Sequence, residues 1–409
     1  MKKFALWLLG IFFFSCEQPD AFVVNKKPMM GWSSWNHYHV NISEEIIKSQ
    51  VDALKKLGLD KFGYRYINID DGFWGGRDKN GKILVHPKRF PKGMRELSDY
   101  IHSKGLLAGI YTDAGIYTCG SYGDDDTIGV ENGLFGHQEE DLRTLLIDWN
   151  YDFIKVDWCG GWWLDLDEQT RYTSIIQMIR SIKPQAKVNV CRWEFPGKWV
   201  TYLADSWRIS GDITLSFESI LKIIDLNADL WMYSSQGHYN DMDMLQVGRG
   251  MSYEEDKTHF TMWCLMHSPL ILGNDLTKMD SLTFSIITNQ ELIALNQSDY
   301  VYQARRVYSK DSVEMWAKPL ISTMSGKVAV ALLNRSQNIR KGTIDLAGIG
   351  FDLKKEYTVR DLWLHQDLGK NIPLSFEISP HGVRAFVIEG TITPFNYFQK
   401  SERHRYDKE

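Results

Sequence analysis

The chain is poor in several features that usually announce a function. Cysteine is scarce, five in 409 residues, which excludes a scaffold built on disulfides. Positive charge is not in excess: 47 Lys and Arg against 52 Asp and Glu leave a formal net charge of −5, which argues against a broad nucleic-acid surface. His37, His39, His238 and His267 show no metal-ligand spacing and read as packing or hydrogen-bonding residues. There is no internal repeat, no low-complexity block and, beyond the N-terminus, no apolar run long enough to span a bilayer. Aromatic residues, in contrast, are plentiful: 15 Trp, 19 Tyr and 19 Phe. Such side chains stack on flat, weakly polar ligands such as sugars, and they also fill large cores. The hydrophobic share of 44% and charged share of 24% are those of a globular protein, and the length suits one large and one small domain.

The N-terminus reads as an export signal. Basic Lys2-Lys3 precede an apolar run, Phe4 to Phe14, followed by Ser15 and Cys16. The run is too short for a stable membrane helix and has the length of a signal-peptide core. A small residue before Cys16 resembles a bacterial lipoprotein signal, in which Cys16 becomes the lipidated first residue; ordinary secretion with cleavage near Ser15 is the alternative. The expected division is a signal peptide over 1–15, a tether over 16–27, a large domain over 28–300, a β-domain over 301–390 and a tail over 391–409. The expected location is the periplasm or an outer-membrane anchor, the membrane being reached only through the lipid.

Eight short β-type runs alternate with amphipathic helices: 29–32, 66–70, 107–112, 153–157, 188–193, 206–210, 238–243 and 269–273. Ile47, Val51 and Leu54 mark one helix, with Ser43 as its N-cap and Gly58 as its stop. Met94, Leu97 and Ile101 mark a second; Leu142, Leu145, Leu146 and Trp149 a third; and Ile175, Ile176, Ile179 and Ile182 a fourth, ended by Pro184. This rhythm predicts a (β/α)₈ barrel. A doubly wound sheet is the alternative, but no Gly-rich phosphate fingerprint follows the first strand. Beyond residue 300 the runs 313–317, 328–333, 357–360 and 383–388 predict a small antiparallel β-domain.

Polar residues collect where these strands end, the face of a barrel that carries chemistry. They include Asp70 and Asp71, Asp113, Lys155 and Asp157, Arg192, Arg208 and Asp212, and Asp241 and Asp243. One acid after a strand is usually a helix cap, but charges after six strands converge on one pocket. Carboxylates with few histidines suit chemistry at a sugar, which needs an acid and a nucleophile or base. A hard-metal site of Asp70, Asp71, Asp157, Asp241 and Asp243 is the rival. Lys155 shares a strand face with Asp157, and its cation competes with a metal while keeping a carboxylate ionised. No metal or cofactor is therefore expected.

Seven strings carry a family resemblance. Met30-Gly31-Trp32-Ser33-Ser34-Trp35-Asn36, Asn68-Ile69-Asp70-Asp71-Gly72-Phe73-Trp74, Gly109-Ile110-Tyr111-Thr112-Asp113-Ala114-Gly115, Lys155-Val156-Asp157-Trp158-Cys159, Trp207-Arg208-Ile209-Ser210-Gly211-Asp212, Asn240-Asp241-Met242-Asp243 and Trp263-Cys264-Leu265-Met266-His267 occur in order. Together they resemble glycoside hydrolase family 27, the α-galactosidase and α-N-acetylgalactosaminidase family. The resemblance implies a barrel followed by an antiparallel β-sandwich, and a retaining exo-glycosidase acting on α-galactosides. It assigns Asp157 as nucleophile and Asp212 as general acid/base, with carboxyl groups about 5–5.5 Å apart. Asp70, Asp71, Lys155 and Arg208 would contact galactose, and Trp35, Tyr111 and Asp243 would complete the pocket.

Two departures stand out. Arg192 replaces a Glu common in the family and is expected to line the pocket and favour a free carbon-two hydroxyl; the alternative is that it points away and salt-bridges outside the pocket. The family's disulfide between the first loop and the second motif is missing, Val40 and Gly72 standing at its positions. Cys119 and Cys159 follow neighbouring strands and are expected to pair, leaving Cys191 and Cys264 as buried thiols. A β-L-arabinopyranosidase, an α-N-acetylgalactosaminidase and a non-catalytic galactose-binding lipoprotein remain alternatives, and the oligomeric state stays open.

Overall fold

A computed structural model describes residues 26–123, 127–394 and 396–399, so Cys16 and the expected signal lie outside the described residues. Eight parallel strands form the first domain: β1 (Met30–Ser33), β2 (Tyr66–Ile69), β3 (Leu107–Asp113), β4 (Phe153–Asp157), β5 (Lys187–Val190), β6 (Ser206–Arg208), β7 (Tyr239–Asp241) and β8 (Leu270–Leu272). They pair in sequence order, and β8 returns to pair with β1. Between β7 and β8 the contact is a single parallel bridge, Leu245 to Leu272, with the Leu245 N–H on the Ile271 carbonyl at 2.7 Å. Strands and helices alternate as the sequence predicts, in a (β/α)₈ barrel.

The helices follow from local chemistry. In Glu44–Leu57 the Ser43 hydroxyl accepts the Ile46 N–H, Gly58 closes the helix at φ 69°, and Ile47, Val51 and Leu54 are buried. The stripe Leu142, Leu145 and Leu146 is also buried, but its helix Gln138–Arg143 widens into a π-turn over Thr144–Asp148.

The second domain is antiparallel: β9 (Arg305–Lys310), β10 (Val313–Pro319), β11 (Lys327–Asn334), β12 (Arg340–Thr343), β13 (Tyr357–Asp361), β14 (Gln366–Lys370), β15 (Ser375–Ile378) and β16 (Val383–Gly390). Six form one sheet in the order β9-β10-β11-β16-β13-β14, and β12 pairs with β15. Strand β11 shows how this sheet is buried on two sides. Val328, Val330 and Leu332 enter the β-domain's own core, while Ala329, Ala331 and Leu333 pack into the barrel's core. The junction is further held by Arg360 on Glu291, His381 on Glu255, and Lys318 Nζ on the Leu295 carbonyl. Phe398, placed by sequence in a tail starting at 391, is fully buried in the β-domain core. The domain therefore extends past residue 390.

Candidate active site

A cavity of about 560 Å³ opens at the C-terminal ends of the barrel strands, a size typical of small-ligand sites. Strand register builds its floor. Tyr111 pairs with Lys155, Lys155 with Asn189, and Asp113 with Asp157, so like-facing residues of β3, β4 and β5 meet in layers. Lys155 Nζ lies 3.0 Å from Asp70 Oδ2 and 3.5 Å from Asp157 Oδ2. Burial acts against the ammonium, but Asp70 and Asp157 outweigh it and hold the Lys155 pKa well above its ordinary value. Burial pushes the Asp157 carboxyl up, with Lys155 and the Cys191 thiol pulling the other way. The second oxygen of Asp157, Oδ1, is buried and has no hydrogen-bond partner.

The other half of the site is organised by Arg208. Its Nη2 contacts Asp243 Oδ2 at 2.9 Å and Asp212 Oδ1 at 3.0 Å, and its Nη1 lies 3.7 Å from the Cys191 sulfur. Asp243 is fixed further by the N–H groups of Met244 and Ile213, in a left-handed backbone of φ 74°. Strained backbone of this kind persists only where the surroundings enforce it. Burial lifts its carboxyl to about 6 against the pull of Arg208. At Asp212 the surrounding cavity walls would raise the pKa, but Arg208 and then Lys155 bring it below the ordinary carboxylate value.

Two braces hold the loops around this centre. Cys119 and Cys159 form a disulfide with Cα atoms 5.2 Å apart, and Cys191 and Cys264 are buried free thiols. The bridged loops pass so closely that a Cβ on Gly115 would lie 1.9 Å from the Gly160 carbonyl carbon, which only glycine permits. Tyr111 joins this brace by accepting the Cys119 N–H on its hydroxyl. The second brace stands where the family's other disulfide is missing. Arg89 Nη1 donates to the Val40 carbonyl at 2.9 Å and the Gly72 carbonyl at 2.8 Å, tying together the two segments that the lost cysteines would have joined.

Asp70, Tyr111, Lys155, Asp157, Arg208, Asp212, Asp243 and Trp35 all reach the cavity. Asp71 lies just behind it. Its carboxylate accepts the N–H groups of Gly72 and Gly120 and the Trp74 indole, while burial lifts its pKa to about 7. Asp71 therefore shapes the wall, and its protein partners occupy both of its oxygens.

Arg192 does not line the cavity. Cys191 faces the barrel interior, so alternation turns Arg192 outward, where Glu168 takes its Nε at 2.6 Å and Glu194 its Nη2 at 3.3 Å. The selection against a carbon-two substituent expected from Arg192 loses its basis. Trp193, at φ 63°, turns back and lines the cavity instead. Asn189 also lines it, holding Asp241 Oδ2 at 2.8 Å. The signal for Asn189 was present: a polar residue inside an apolar strand, two before Cys191 and so on the same face.

This geometry has known relatives. A family profile described as "Alpha galactosidase A" matches residues 27–298, and one for the "Alpha galactosidase C-terminal beta sandwich domain" matches 310–388. The chain belongs to the alpha-galactosidase A family. Alpha-galactosidase A of Cellvibrio japonicus is 36% identical over 382 residues, 88% of this chain and 91% of that protein. The crystal structure of alpha-galactosidase I from Mortierella vinacea superimposes with a TM-score of 0.81 at 29% identity, covering 90% of this chain and 98% of its own. The structure of alpha-galactosidase from Saccharomyces cerevisiae with raffinose gives 0.80 at 25%, covering 90% and 99%. The protein is a glycoside hydrolase with alpha-galactosidase activity acting on α-galactosides.

Proposed function

We propose that the chain cleaves terminal α-D-galactosyl residues by double displacement, with configuration retained at carbon one. The Asp212 carboxylic acid gives its proton to the glycosidic oxygen while the Asp157 carboxylate attacks carbon one. The carbon–oxygen bond breaks, the leaving alcohol departs, and galactose is held as an ester of Asp157. Asp212, now a carboxylate, takes a proton from water as that water attacks carbon one and frees Asp157. Lys155 favours the ionised form of Asp157 against burial and, with Asp70, meets the hydroxyls of the sugar. Arg208 and Asp243 border the same cavity from the Asp212 side.

The observation that carries this reading is the Asp157 carboxylate, which lines the cavity at the end of β4 with its Oδ2 3.5 Å from the Lys155 ammonium. A nucleophile must be held at the reacting centre beside a cation that favours its charged form, and Asp157 meets both conditions. A slow 2-deoxy-2-fluoro galactosyl substrate should leave a covalent adduct on the peptide containing Asp157, seen by mass spectrometry. An adduct on another carboxylate, or turnover with no adduct, would contradict the assignment.

We also propose export with a lipid at Cys16. The N-terminal sequence supports it, as does the Cys119–Cys159 disulfide, a bond that persists in oxidising compartments. Wild type should partition into detergent and Cys16→Ala should not; equal partitioning would count against the anchor.

A further inference from the structure

Among the described residues only two tryptophans are exposed, Trp162 and Trp163, at 59% and 61%. Both sit on the loop that follows the nucleophile strand β4. Leaving two indoles in water is unfavourable and is usually tolerated where a ligand covers them. They border a second cavity of about 350 Å³ together with Cys159 and Trp193. Cys159 and Trp193 also line the catalytic cavity, so the two spaces share a wall.

The platform is built rather than loose. Trp162 and Trp193 lie parallel within 2°, with ring centroids 6.5 Å apart. The Arg192 guanidinium stacks over Trp162 at 4.4 Å and is held in place by Glu168 and Glu194. The outward turn that removes Arg192 from the catalytic cavity thus gives it another task, fixing an exposed indole at the rim. The occupant must be reachable from carbon one of galactose, present flat apolar faces and remain well hydrated at its edges. Sugar rings meet these demands: their C–H faces lie on indoles while their hydroxyls stay in water.

We propose that Trp162 and Trp163, with Trp193 as the shared wall and Arg192 as the support, form a subsite for the sugar rings on the leaving-group side of the scissile bond. This deepens the proposed function and rests on it: it names the side chains that grip the departing part of the substrate and so help decide which α-galactosides are cleaved best. Trp193 touches both halves of the substrate, and the paired tryptophans hold the part that departs.

The test compares two substrates that share galactose and differ in what leaves. α-Galactosyl fluoride has no leaving sugar, whereas an α-galactosylated oligosaccharide extends two or more rings beyond the bond. In Trp162→Ala/Trp163→Ala the ratio of kcat/KM for the oligosaccharide to kcat/KM for the fluoride should fall about ten-fold. Arg192→Met should lower the same ratio by a smaller factor. The degalactosylated oligosaccharide should inhibit wild type and should inhibit the double variant more weakly. An unchanged ratio, whether both rates fall together or neither does, would overturn the subsite. So would a wild type that cleaves the fluoride but no galactosylated oligosaccharide. A wild type inert to both substrates would count instead against the proposed reaction.

Discussion

Asp157 and Asp212 serve one reaction from unlike surroundings. The Asp157 side chain is 4% exposed, set in β4 and locked against Lys155, whereas the Asp212 side chain is 60% exposed on the loop beyond β6. The difference matches what each must do. A nucleophile has to hold still in a dry place where its charge is not shared with water. A general acid has to meet the leaving oxygen at the cavity mouth and then exchange protons with incoming water. The supporting cations differ in the same sense. Lys155 is a point charge between two buried carboxylates, and Arg208 is a planar fork joining buried Asp243 to exposed Asp212.

Removing each carboxylate in turn breaks the comparison most sharply. Asp157→Ala should lower kcat by about 10⁴-fold or more on every α-galactoside, because no other group can form the ester. Circular dichroism and thermal melting should show the fold retained. Asp212→Ala should cost about 10²–10⁴-fold on substrates with poor leaving groups. The loss should shrink on a dinitrophenyl galactoside, which needs no acid, and azide should restore turnover by attacking the galactosyl-enzyme from the opened side. If both variants lost activity equally on every substrate, the two roles would not be separate.

The pH profile sharpens the same contrast. Activity needs Asp157 ionised and Asp212 protonated. Burial raises the Asp157 pKa, whereas Arg208 and Lys155 lower that of Asp212 below the ordinary carboxylate value. The active combination is then the less populated one, and the acid limb of kcat/KM follows the lower pKa, that of Asp212, while the alkaline limb follows the raised pKa of Asp157. A bell with an acidic optimum follows, and the alkaline limb should vanish in Asp212→Ala assayed with the dinitrophenyl substrate. A broad plateau to alkaline pH in wild type would contradict this assignment.

Much of this was legible in the sequence, for reasons that particular residues make plain. The barrel showed because each buried strand is an apolar run closed by a polar end, as at Lys155-Val156-Asp157. The β-domain showed only in part. β10, β11, β13 and β16 carry buried apolar positions that the sequence pattern shows, whereas β12 and β14 are short, mostly exposed and polar, so they depend on a neighbour that sequence does not reveal. Cys119 and Cys159 could be paired because they follow adjacent strands. Arg192 was misplaced because its direction depends on the phase of β5, which the interior-facing pair Asn189 and Cys191 sets. The Arg89 brace was invisible because it joins backbone carbonyls, and carbonyls carry no residue identity.

The two braces extend the comparison to stability with smaller effects. Cys119→Ser/Cys159→Ser should destabilise the chain by about 3–4 kcal/mol in denaturant melts, given the loop it closes. Arg89→Met removes two hydrogen bonds and should cost about 1–3 kcal/mol. A larger loss from Arg89 than from the disulfide would reverse the ranking.

The central claim is that Asp157, buried and charge-paired, attacks carbon one directly. Proton NMR of the sugar released at the earliest times tests it without any variant. Cleavage of an α-galactoside should first yield α-galactose, which then equilibrates by mutarotation. β-Galactose as the first product would mean that water, not Asp157, makes the attack.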